Sequence, residues 1–143
     1  MRRSASLFVS LLAIGCASSQ PATLGVVDRK LAPCPAAPHC ASTQQPDGIP
    51  PAPYVTGRDE ARARLVAILR ARPGAKIVTE SPDYIRAEFT SRHFHYVDDV
   101  EVYFDDRAKL AQFRSSSRSG YYDFGVNKRR LKDIPEQFVA KQS

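Results

Sequence analysis

The chain has 143 residues, with 21 lysines and arginines against 15 aspartates and glutamates, a formal net charge of +6 and 43% hydrophobic residues. That length fits a single domain. The basic excess is too modest to argue for nucleic acid as a partner, and suits a soluble domain beside an anionic membrane surface.

Residues 1–15 have the layout of a lipoprotein signal peptide. Arg2 and Arg3 form a positive start, and the apolar run over residues 7–14 is too short to span a bilayer as a helix. The tetrad Ala13-Ile14-Gly15-Cys16 resembles a bacterial lipobox, with leucine missing from its first place. It implies that Cys16 receives a lipid on sulfur, with palmitate among its acyl chains, and becomes the new N-terminus; the alternative is an ordinary secretory signal cleaved later, in CASSQPA, with Cys16 a free thiol. Loss of Arg2 and Arg3 lowers the formal charge from +6 to +4. The expected location is outside the cytoplasm, on a membrane facing the periplasm or cell exterior. Ala17 is not the aspartate that retains lipoproteins at the inner membrane, so outer-membrane sorting is expected in a Gram-negative cell.

Residues 16–57 read as a proline-rich arm. Eight of the eleven prolines fall between residues 17 and 57, where apolar periodicity is absent. Within it, Cys34 and Cys40 have five residues between them and close a small disulfide ring under the oxidising conditions an exported protein meets. A thiol metal site with His39 is the rival, but it lacks a fourth ligand nearby.

The α+β domain is expected over residues 58–143. A helix over residues 59–72 places Ala61, Leu65, Ile68 and Leu69 on one stripe, and Pro73-Gly74 stops it. The pattern then alternates. KIVTES and YIRAEFT are two strands, a bend near residues 91–93 shifts the apolar parity, and residues 94–104 form a third strand. KLAQFRSSS is a fourth. A four-residue loop over residues 105–108 would set Phe104 opposite Lys109, Val102 opposite Ala111, Asp98 opposite Ser115, Asp99 opposite Arg114 and His95 opposite Arg118. A last helix, capped by Asn127 and kinked or broken at Pro135, carries Leu131, Ile134 and Phe138. The expected fold is a four-stranded antiparallel sheet flanked by an N-terminal and a C-terminal helix, behind the arm.

CPAAPHCAS, YIRAEFTSRHFHYVDDVEVYFD and RSSSRSGYYDFGVNKRRL, in that order, resemble the signature blocks of the bacterial domain of unknown function 1499 family, over roughly residues 31–134. The resemblance implies export, often as a lipoprotein, and no established activity. Its recurring residues correspond to Cys34, Cys40, Asp98, Asp99, Glu101, Arg114, Ser115, Ser117, Arg118, Gly120, Asp123, Gly125, Asn127 and Arg130. His93 and His95 stand where the family more often has a basic or aliphatic residue.

The chemistry-bearing residues support three readings. His93 and His95 share a strand face with Asp99 and Glu101 in a metal-like spacing, but arginines opposite them argue against a cation, so no metal and no cofactor are expected. Asp98 and Asp99 point to opposite faces and cannot act together. Asp99 is expected to pair with Arg114, and Asp98, on the apolar side, needs a partner from Ser115, Ser117 or a helix end. Arg114, Ser116, Arg118, Asn127, Lys128, Arg129 and Arg130 form a candidate basic surface for an anionic small molecule or an envelope protein. The expected function is a non-enzymatic, lipid-anchored binding or structural domain; the alternative is an enzyme of unknown reaction using Asp98 or Asp99 with Arg114 and Arg118.

Overall fold

The computed structural model describes residues 20–46 and 48–142; the expected signal peptide over residues 1–15 and the expected lipidation site, Cys16, lie outside them. Elements follow in the order β1 (Val26–Val27), β2 (Lys30–Leu31), β3 (Cys40–Ser42), β4 (Ala52–Pro53), α1 (Arg58–Arg70), β5 (Ala75–Glu80), β6 (Tyr84–Thr90), β7 (Val97–Asp105), β8 (Leu110–Ser117) and α2 (Val126–Ala140). The expected mixed α+β architecture is present, with a correction. The sheet has six strands and not four, because residues inside the expected arm, β3 and β4, both pair antiparallel with the outer edge of β8. The rest of the order is β8, β7, β6, β5. A separate two-stranded ribbon, β1 and β2, lies over the other face, with β2 against β7 and β8.

Alternation in the strands decides which face is dry. Ile85, Ala87 and Phe89 of β6, Val100, Val102 and Phe104 of β7, and Ala111 and Phe113 of β8 point to one side. Both helices cover that side. The α1 stripe of Ala61, Leu65, Val66, Ile68 and Leu69 and the α2 stripe of Leu131, Ile134 and Phe138 complete the core. Each large side chain there contributes about 1.5–3 kcal/mol by leaving water. Gly74, after α1, has φ +75°, and a Cβ on it would lie 2.4 Å from the Thr90 carbonyl oxygen, so only glycine fits this crossing.

Four details differ from the sequence expectations. The β7–β8 register is displaced by two residues, setting Phe104 opposite Ala111, Val102 opposite Phe113, Glu101 opposite Arg114, Asp99 opposite Ser116 and Asp98 opposite Ser117. The loop is four residues long but spans 106–109, because the Asp105 carboxylate accepts the N–H groups of Arg107 and Ala108 and so ends the strand one residue later. Residues 91–96 form a connection and not the start of a strand: Phe94 and Tyr96 are 74% and 57% exposed, and the parity shift arises from this connection. Finally, α2 runs through Pro135, and its N-cap is Gly125, with Asn127 buried inside the first turn.

The Cys34–Cys40 disulfide is present, with a Cα separation of 5.6 Å. It links the segment after β2 to β3. Replacing both cysteines with serine frees the closed loop in the unfolded chain and is expected to cost about 2 kcal/mol. Urea unfolding of the Cys34→Ser/Cys40→Ser chain against the parent measures this as a lower midpoint.

Candidate functional site

The face of the sheet turned away from the helices carries charge at full burial. Tyr84, Arg86 and Glu88 of β6 alternate with the core residues, and so do Asp99 and Glu101 of β7 and Arg114 and Ser116 of β8. Glu101 is fully buried, Asp99 is 1% exposed and Arg114 is 4% exposed. Carboxylates in such surroundings persist only when closely paired. Arg114 Nη1 donates to Glu101 Oε2 at 2.8 Å, while Glu101 Oε1 accepts from the Tyr84 hydroxyl at 2.8 Å and the Gly25 N–H at 2.7 Å. Burial, with the Glu101 charge added, pushes the Tyr84 hydroxyl well above its ordinary pKa, so it remains a donor.

Asp99 is held from both sides. Arg86 Nη1 donates to its Oδ1 at 2.9 Å, and Arg118 donates from Nε to Oδ2 at 2.7 Å and from Nη2 to Oδ1 at 2.9 Å. Arg118 Nη2 also pairs with Glu88, and the hydrogen bonds to Asp99 lead the effects that raise its pKa. The partner expected for Asp99, Arg114, therefore belongs to Glu101, and Arg118 belongs to Asp99 rather than to His95. That is the two-residue register difference expressed in side chains. Arg86, Glu88 and Tyr84 escaped the sequence reading, although the alternation of YIRAEFT puts them on this face.

A second polar cluster sits where α2 meets the sheet. Asp98 takes its partner from the helix: Arg130 Nη2 donates to Asp98 Oδ2 at 3.0 Å, and the guanidinium lies 4.5 Å over the Phe89 ring. Arg130 Nη1 donates to Ser115 Oγ at 3.0 Å and to Asn127 Oδ1 at 2.8 Å. Asn127 Nδ2 donates to the His39 carbonyl, to Ser117 Oγ and to Asp123 Oδ2. Burial lowers the Arg130 pKa, with the Asp98 charge opposing it. Asp123 accepts from the N–H groups of Gly125 and Asn127, each at 2.8 Å, and so satisfies the start of α2. Burial alone would raise the Asp123 carboxyl; those donors outweigh it and hold the group below its ordinary pKa.

The expected basic surface is thus divided. Arg114, Ser116 and Arg118 are committed on the sheet face turned away from the helices, Asn127 and Arg130 lie between helix and sheet, and only Lys128 and Arg129 of the set are exposed. His93 and His95 are exposed in the β6–β7 connection. An apolar cavity of about 760 Å³ runs between Ile49, Pro50, Pro51 and the α2 residues Pro135 and Val139, with Lys128 and Lys132 on its lining. Another, of about 530 Å³, lies beneath the cover among Leu24, Val27, Leu31 and Gln44. Neither is lined by Asp98, Asp99 or Glu101.

The sequence model of a family described as Protein of unknown function (DUF1499) matches residues 30–138. The match takes in the disulfide, all six strands of the main sheet and most of α2. No curated protein matches the chain.

Arg114→Met is expected to destabilise the fold by about 3–5 kcal/mol, because it strands Glu101 without a counter-charge. Adding Glu101→Gln should recover a substantial part of that loss, and a double-mutant cycle in urea reads the coupling. Asp123→Ala should cost about 1 kcal/mol through the lost cap. The depressed Asp123 pKa fixes the sign of its pH dependence. Its contribution is complete above the unfolded value of about 3.9 and is lost as pH falls through the lower folded value. Acid titration of the parent and of Asp123→Ala, followed by circular dichroism, should converge below that range.

Proposed function

We propose, for a chain that belongs to the DUF1499 family, a non-enzymatic role as a lipid-anchored domain of the bacterial cell envelope that offers a basic surface to an anionic ligand or envelope partner. The observation that carries the non-enzymatic reading is the closure of its acids. Asp98, Asp99 and Glu101, the carboxylates suited by burial to acid or base work, each hold an arginine at 3.0 Å or less. A general acid or base must reach the proton it transfers in a substrate pose. These three are occupied in holding β6, β7, β8 and α2 together.

The anchor rests on the lipobox-like Ala13-Ile14-Gly15-Cys16. Among the described residues, no helix is long and apolar enough to cross a membrane. The reading assigns attachment to a lipid on Cys16 because of that tetrad. The surface left for a ligand is the exposed pair Lys128 and Arg129 at the start of α2. Surface cations of this kind attract anionic groups with a salt-dependent strength.

Fractionation tests the reading. The parent chain should sediment with membranes and carry a lipid-modified N-terminal cysteine by mass spectrometry. Cys16→Ser should move most of the protein to the soluble fraction when membranes are washed in high salt, which strips charge-dependent attachment. Unchanged fractionation would refute anchoring through that cysteine.

A further inference from the structure

The exposed aromatic residues are not scattered. Phe94, Tyr96, Tyr121, Tyr122 and Phe124 are between 57% and 78% exposed, and they are the only aromatics among the exposed large hydrophobic residues described. All five fall in two connections, β6–β7 and β8–α2. Strand directions bring these connections to one end of the sheet, since β7 begins where β8 ends, with the Arg118 N–H donating to the Val97 carbonyl. Phe94 stacks on Tyr96 at 5.6 Å between centroids, and Tyr122 meets Phe124 edge-on at 5.2 Å. The opposite end carries Asp83, Asp106, Arg107 and Lys109 as exposed residues and no exposed aromatic.

The exposed charge of these two connections has one sign. Arg92, Lys128 and Arg129 are exposed there. Within residues 91–96 and 118–129 the one carboxylate is Asp123, which is committed to the Gly125 and Asn127 N–H groups. Exposed aromatics clustered beside cations, without free acids, match the interfacial zone of a bilayer: the rings enter the headgroup boundary and the cations meet phosphate.

The length of the N-terminal tether allows a lipid to reach the same surface. Gln20 accepts from Arg86 Nη2 at 3.2 Å, and Arg86 Nη1 extends towards the aromatic end, to Glu88 and Asp99. Cys16 precedes Gln20 by four residues, a tether of at most about 14 Å. The strand from Arg86 to Thr90, where the β6–β7 connection starts, covers about 13 Å. A lipid on Cys16 can thus enter the same bilayer that this end would meet.

We propose that the end of the sheet formed by the β6–β7 and β8–α2 connections docks on an anionic bilayer surface, with the Phe94 and Tyr122 clusters at the interface and Arg92 and Lys128 on headgroup phosphate. This rests on the basic-surface reading above and names the membrane as its anionic partner.

The test uses the exported chain carrying Cys16→Ser, which has no lipid, in co-sedimentation with vesicles of phosphatidylcholine alone or with phosphatidylglycerol added. Binding to the anionic vesicles, weakened by salt and absent from the neutral ones, is the expected result. Phe94→Ser/Tyr122→Ser should weaken that binding by roughly tenfold or more, and Arg92→Glu/Lys128→Glu should remove its dependence on phosphatidylglycerol. Val55→Ser, at the other end of the sheet and 83% exposed, should leave it unchanged. Thermal melts establish that all variants fold. The proposal is overturned if the parent of this series ignores anionic vesicles, if the aromatic variant binds as its parent does, or if the cluster serves instead to pair two copies in sedimentation velocity. Loss of vesicle binding with Cys16-dependent fractionation intact would remove this inference and leave the lipid anchor standing; vesicle binding with no lipid found on Cys16 of the parent chain by mass spectrometry would do the reverse.

Discussion

Three carboxylates that β7 carries into the interior, Asp98, Asp99 and Glu101, govern what can pack around that strand. A buried carboxylate costs several kcal/mol unless a cation and further donors close on it. Each neighbouring element answers one of them: β8 with Arg114, β6 with Arg86, the exit of β8 with Arg118, and α2 with Arg130. On the outer face, Arg86, Arg114 and Arg118 balance Glu88, Asp99 and Glu101, so the formal charges cancel. The N-terminal segment can lie over this face because the charges beneath are neutralised, and it adds the Gly25 N–H as a further donor.

The same constraint ties the two sides of the sheet together. Asp98 and Asp99 are adjacent, so their side chains leave β7 in opposite directions. One orders the helix side through Arg130, Asn127 and Ser115; the other orders the covered side through Arg86 and Arg118. The start of α2 is fixed twice over, by Asp123 on its first N–H groups and by Arg130 on the sheet. Adjacent residues of one strand thereby couple helix, sheet and cover.

Much of this was legible in the residues, and the failures have physical causes. Alternation located β5 and β6 and assigned both faces of β7 correctly. It could not fix the register, because a two-residue displacement preserves every face while changing every partner. What decided it was local: the Asp105 carboxylate caps the hairpin and moves the loop by one residue on each side. β3 and β4 were illegible for a different reason. Three residues or fewer, set among prolines, show no period, and they become strands only because β8 has an open edge to pair with. Residues 94–96 mislead because aromatic residues at alternate positions look like strand whether they face a core or solvent. The basic segment was read as one surface, yet its arginines divide according to which buried acid each can reach.

His95 and Phe124, one in each connection at the aromatic end, have φ of +53° and +55°. Side chains seldom adopt this left-handed backbone, which costs on the order of 1–3 kcal/mol unless neighbours impose it. Neighbours do: the Ser91 carbonyl accepts the His95 N–H and Ser91 Oγ accepts the Tyr96 N–H, while Arg129 holds the Phe124 carbonyl at 2.9 Å. Two bends of the chain are thus locked during folding. Their ordering entropy is lost before any encounter, so whatever settles on that end meets a surface whose shape is already set and forfeits little affinity in fixing it.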